Sequence, residues 1–237
     1  MYHPFSIADT ISTAWSIIKR NFVTIIVYST LVVVLLGVIQ AVNFIYSATS
    51  DLTLQLILFF LLLLMQGYTT LGLYKLIFTL IDSEYYEFEF SQLIPKIRMV
   101  LSYIAISLIF AFIVTTYNFF VVDKLINYPA TQAVAQFVGV VTLLYLALRF
   151  MFCVCFIVDE DSGPFESLGQ SFVITKGNIT KIILILLISI GLIFLGLAAL
   201  FVGLIITYPL VNIILVVTYR KLVYSHQDVD DDLSETN

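Results

Sequence analysis

Charged side chains divide this chain into long apolar runs. Residues 21–50, 52–74, 99–122, 125–158 and 182–219 contain no Asp, Glu, Lys or Arg except Arg149 in the fourth run. A helix crosses a bilayer in about 20 residues. The first four runs therefore predict one crossing each, at 22–44, 53–79, 99–122 and 133–158. The fifth is long enough for two. Thr207-Tyr208-Pro209 supplies the break, because threonine caps a helix and proline suits its first turn. The last two crossings are then 180–205 and 208–224. The prediction is an all-α integral membrane protein of six transmembrane helices.

The stretches leading into the crossings have a different period. Ala8, Ile11, Trp15, Ile18 and Phe22 recur every three or four residues among polar side chains. Ser6 and Asp9 open that stretch as a weak capping box. This spacing predicts an amphipathic helix lying in the membrane interface, with Trp15 on its apolar side. Pro164 to Lys176 repeats the design: Phe165, Leu168 and Phe172 share a face, and Gly177 follows the end. Phe90 to Met99, interrupted by Pro95, is a third such stretch. Each precedes two crossings, which suggests an interfacial helix plus hairpin used three times. Residues 14–22 and 171–179 can be laid together, with Ile17 on Ile174, Lys19 on Lys176 and Asn21 on Asn178. The alternative is that any chain passing from water into lipid reads basic, polar, then apolar.

Composition removes the competing classes. The 237 residues are 61% hydrophobic and 11% charged, with a mean hydropathy of +1.06. Soluble domains are about 25% charged, so a water-soluble globule is excluded. The basic residues then set the orientation. Lys19, Arg20, Lys75, Lys96, Arg98, Lys176, Lys181, Arg220 and Lys221 fall on one side of a six-crossing chain, and Lys124 opposite. By the positive-inside rule both termini are cytoplasmic, as expected for a multi-pass protein of the cell (inner) membrane. Phe44, Tyr46, Tyr117, Phe119, Phe120, Tyr128 and Tyr208 gather at the outer boundary as an aromatic belt. Asp9 and its polar neighbours leave no apolar stretch for a cleavable signal peptide. Residues 1–225 read as a single transmembrane domain, and 226–237 as a disordered acidic tail. The net charge of −5 argues against a nucleic-acid partner.

Arg149 is the one ionisable side chain well inside a crossing. Counted back from Asp159, it lies roughly 13–15 Å above the cytoplasmic boundary. An arginine at such depth costs about 2.5–3.5 kcal/mol on insertion scales, so it needs partners. Counting turns brings Gln66, Ser29, Ser107 and Ser189 to similar depth, with Tyr145 one turn away on the same helix. Together they would form an intramembrane polar layer. Two readings stay open: a site for an anion or lipid headgroup with Arg149 as its charge, or a structural tie through Gln66, carbonyls and water.

Other constellations carry less. Asp159-Glu160-Asp161 with Glu166, joined by Glu84, Glu87 and Glu89, matches no metal-loop spacing and reads as solvated loop. His3 and His226 lie near opposite ends of the chain, and Cys153 and Cys155 read as small apolar fillers. No phosphate-binding glycine loop, nucleophile elbow or His-Glu-x-x-His is present. No metal, cofactor or catalytic residue is expected.

The second half carries a recognisable order of short motifs. Leu148-Arg149-Phe150, Val158-Asp159-Glu160, Glu166-Ser167-Leu168, Ser171 and Lys176-Gly177-Asn178 lead into an apolar run, Pro209 and Tyr219-Arg220. This order resembles the six-helix bacterial membrane domain fused to glycerophosphodiester phosphodiesterases, and its stand-alone relatives. The resemblance implies a fold and a membrane location. It does not imply hydrolysis, since the chemistry of the fused proteins resides in a separate soluble barrel absent from this sequence. The function expected is a non-enzymatic scaffold or accessory protein in membrane or lipid-related processes. The alternative is a small transporter or lipid- or anion-binding protein using Arg149. The lipid bilayer is the expected partner, with a lipid headgroup or a protein beside it.

Overall fold

A computed structural model describes residues 6–46, 51–82, 93–199 and 203–235. These residues form helices without strands. They are α1 (Ile7–Arg20), α2 (Phe22–Tyr46), α3 (Leu52–Asp82), α4 (Ile97–Tyr117), α5 (Pro129–Phe150), α6 (Cys153–Asp159), α7 (Pro164–Ile174), α8 (Ile179–Ala198) and α9 (Leu204–Glu235). Six stretches are long and apolar enough to cross a bilayer: α2, α3, α4 with the turns after it, α5 with α6, α8, and α9 up to Tyr224. The chain is a multi-pass membrane protein.

The boundaries are cut by local chemistry. Asp9 N–H donates to the Ser6 hydroxyl at 3.5 Å as α1 begins. Glu166 accepts from Gly163 N–H at 3.2 Å as α7 begins, and Gly177 turns the chain at φ 86° after it. Beyond α4 the backbone widens into a π turn, Asn118–Val122, and then tightens into a 3₁₀ turn, Asp123–Leu125. Tyr117 closes this α4–α5 hairpin by donating to the Ala135 carbonyl at 2.6 Å.

Four boundaries differ from the sequence expectation. The last crossing starts at Leu204, so Pro209 lies inside α9 rather than in its first turn. Gly203 makes the turn instead: its carbonyl accepts from Thr207 N–H at 2.9 Å and from Thr207 Oγ1 at 3.1 Å. Neighbouring helices in a membrane bundle tolerate such a proline by re-satisfying freed backbone groups. The fourth crossing is interrupted at Met151 and Phe152, between α5 and α6. The acidic tail continues α9 as helix to Glu235, where disorder was expected. Leu93 to Lys96 is not α-helical, so the third amphipathic stretch is reduced to the first turn of α4, and its Phe90 end falls outside the described residues. Tyr117 and Tyr208 are half-buried against protein rather than free members of an aromatic belt, whereas Phe119, Phe120 and Tyr128 are exposed.

The main core cluster lies toward one end of the bundle. Buried positions on α3 begin at Gly67 and run to Leu80, and those on α4 lie between Met99 and Ile106. Leu52 to Leu64 on α3 and Phe112 on α4 leave large apolar side chains uncovered by protein. The end where the core sits is termed the charged end, and the end with the α4–α5 turn the far end. At the far end α8 and α9 cross closely, where a Cβ on Gly196 would overlap Thr207 Oγ1.

Candidate functional site at the charged end

Arg149 is 9% exposed, in the last turn of α5. Its Nε donates to the Tyr145 hydroxyl at 3.2 Å. Its Nη1 donates to Thr175 Oγ1 at 3.2 Å and reaches the Phe172 carbonyl at 3.5 Å. The guanidinium also stacks over the Phe172 ring, 4.2 Å from its centroid. Thr175 is the C-cap of α7, so the cation occupies the carbonyl-rich, partially negative end of that helix. These acceptors, the helix end and the ring face offset the cost of placing the charge there. Among the described residues no carboxylate pairs with it.

Ser171 joins the same corner from the next turn of α7. Its hydroxyl donates to the Arg149 carbonyl at 2.8 Å and accepts from Phe152 N–H at 3.2 Å. Those two backbone groups flank the break between α5 and α6. Buried backbone polar groups need partners, so one serine makes the break tolerable.

A second cluster ties the other helix ends. Asp159, closing α6, accepts from the Tyr219 hydroxyl at 2.9 Å and pairs with Arg220 at 3.1 Å. Arg220 also pairs with Asp82 at the end of α3, 2.7 Å away, and stacks over Phe78. Lys96 pairs with Asp161 at 2.9 Å, and Lys221 pairs with Asp9 on α1. Arg20 donates to the Leu80 carbonyl at 3.3 Å. A recess of about 440 Å³ lies beside the network, walled by Lys75, Phe78, Thr79, Asp82, Val158 and Asp159.

The acidic loop read as merely solvated is thus engaged residue by residue, since Glu160 also accepts from Gln170 at 2.6 Å. Glu84, Glu87 and Glu89 lie outside the described residues. No group of three metal-ligating side chains gathers among the described ones.

Of the residues expected to surround Arg149, Tyr145 does so. Gln66 is exposed on α3, which packs on α2, α4, α6 and α9, whereas α5 packs on α7 and α8. Ser107 donates to the Tyr103 carbonyl of its own helix at 2.9 Å. Ser29 on α2 and Ser189 on α8 are buried, and their hydroxyls find no partner among the described residues. The intramembrane layer is therefore not assembled around Arg149. Its other partners are on α7, which the sequence marked only as an interfacial helix. Ser171 and Tyr219 were in view only as parts of the family motifs, Asp159 also as solvated loop and Arg220 also as a flanking basic residue.

Residues 119–223 match the model of a family described as the membrane domain of glycerophosphoryl diester phosphodiesterase. The match runs from the turn after α4 to the charged end of α9, and includes Arg149, Asp159, Ser171, Tyr219 and Arg220. The second half of the chain is similar to that domain. No curated protein and no solved structure matches the chain.

Proposed function

We propose that this chain is a non-enzymatic accessory protein of the cell membrane, presenting a rigid cytoplasmic face to a partner. The observation that carries the reading is the use made of charged groups. Asp9, Asp82, Asp159, Asp161, Arg220, Lys96 and Lys221 are spent on tying helix to helix, and Arg149 on docking α7 to α5. A face fixed in this way suits recognition by another protein. The likeness of residues 119–223 to the membrane domain of a phosphodiesterase family agrees with a supporting role. The uncovered stripe of α1, with Trp15 44% exposed, and Phe165 and Phe172 on α7, suit helices whose outer faces rest in lipid.

The test is cross-linking in native membranes with a lysine-reactive reagent, followed by affinity capture of the tagged chain. The expected result is a protein captured in stoichiometric yield, lost when Arg220→Ala loosens the charged end. Recovery of the chain with lipids alone, no protein exceeding an unrelated six-span control, would end this reading. A second reading, lipid or anion binding through Arg149, is favoured by the absence of a carboxylate partner for that cation among the described residues.

A further inference from the structure

We infer that the corner formed by Arg149 and Lys176 holds the phosphate of an anionic phospholipid from the leaflet at the charged end. This deepens the second reading above and is independent of the accessory role. The first support is depth. From Pro129 at the far end to Arg149 is twenty residues of α5, or about 30 Å, the thickness of the hydrocarbon layer. Helix α8 is also 20 residues long, from Ile179 to Ala198. It starts four residues after Thr175, the residue that accepts from Arg149. Both measures put the guanidinium at the edge of the hydrocarbon, where phosphodiesters lie, rather than a third of the way into it.

Charge gives the second support. Arg149 and Lys176 form no ion pair among the described residues. Lys176 follows Thr175 directly and is exposed, which sets a second cation next in sequence to the residue that accepts from Arg149. Arg149 uses Nε and Nη1 within the protein; its Nη2 makes no bond among the described residues and remains for a ligand oxygen. The flanking Tyr145 and Phe172 rings are 46% and 40% exposed, giving the corner aromatic sides that face lipid. A guanidinium matches a phosphate oxygen pair in geometry, and an adjacent ammonium adds a point charge. Net positive charge selects an anionic lipid over a zwitterionic one.

Native mass spectrometry tests this, with the full chain equilibrated in detergent with equimolar phosphatidylglycerol and phosphatidylcholine. The expected result is one phosphatidylglycerol retained in preference to phosphatidylcholine. Lys176→Gln should reduce that preference about five-fold, the factor one basic residue contributes at an anionic surface. Arg149→Gln should reduce it further, and Lys124→Gln at the far end should leave it unchanged. Lys176 makes no described tie, so its variant reports on binding even if Arg149→Gln folds poorly. Equal retention of the two lipids, or an unaltered preference in Lys176→Gln, would overturn the inference. Displacement of phosphatidylglycerol by millimolar inorganic phosphate would also overturn it, in favour of a free-phosphate site.

Discussion

Asp159 accepts from two α9 side chains, and the two bonds differ in what their loss would cost. Removing the Tyr219 hydroxyl leaves the carboxylate paired with Arg220. Tyr219→Phe should therefore lower stability by about 1–2 kcal/mol, with the ring still packed on Phe78 and Phe156. Asp159→Ala removes both bonds and leaves Arg220 with Asp82 alone. The loss should reach about 3 kcal/mol, nearer the cost of orphaning a partly buried charge. Thermal aggregation midpoints in one detergent would rank the variants, and equal midpoints would count against the network. Arg149→Leu should release the end of α7 and expose Thr175 to limited proteolysis, because no other side chain replaces its three contacts. The sequence marked Arg149 as exceptional from charge alone. Its partners on α7 were not legible, because depth was counted along one continuous helix from Asp159. The chain breaks at Met151 and Phe152, and α7 folds back to meet it.

Helices were legible wherever apolar runs were bounded by charge, and their ends were not where glycine decided them. Thr207-Tyr208-Pro209 had the composition of a helix start, yet Gly203 makes the turn, because only glycine permits that approach to Gly196. Gly196→Val should separate α8 from α9, at about 1–3 kcal/mol for overpacking. Gly191→Ala on the same helix meets nothing within 4 Å and should be neutral. Cross-linking yield between cysteines placed on the two helices would separate these outcomes. The interfacial helices show a subtler pattern. On α1 the buried face is Thr10, Ala14, Ile17 and Ile18, and on α7 it is Ser167, Ser171 and Ile174. Small residues pack inward while several of the predicted apolar positions point away from protein. The alignment of residues 14–22 with 171–179 acquires physical content here: Ala14 and Ser171, Ile17 and Ile174, and Asn21 and Asn178 are all buried, while Lys19 and Lys176 are exposed. Asn21 stands at the C-cap of α1 before α2, and Asn178 at the N-cap position of α8.

At the scale of the molecule the helices have unequal lengths. Helix α8 has 20 residues and matches the hydrocarbon thickness, whereas α3 has 31 and measures about 46 Å. The surplus on α3 carries Lys75 and Asp82, next to the ends of α6 and α9. The surplus at the charged end therefore forms a small ion-paired cap beyond the length that α8 spans. Composition made the six crossings legible, but this cap was hidden, because its ties join residues far apart in sequence, such as Asp82 and Arg220. The positive-inside rule predicts a cytoplasmic cap, since nine of the eleven basic residues belong to the charged end, Lys124 to the far end, and Arg149 to the last turn of α5 near the charged end. Cysteine labelling decides the point cleanly, since Cys153 and Cys155 are both buried and give little background. An impermeant maleimide applied to intact cells should label Lys124→Cys, whose side chain is exposed at the far end. Lys176→Cys should react only after the membrane is permeabilised. The reverse pattern would turn the molecule over, moving the cap to the exterior and the Arg149 corner to the outer leaflet. The phospholipid site would survive that inversion with its leaflet exchanged, whereas a cytoplasmic partner for the cap would not.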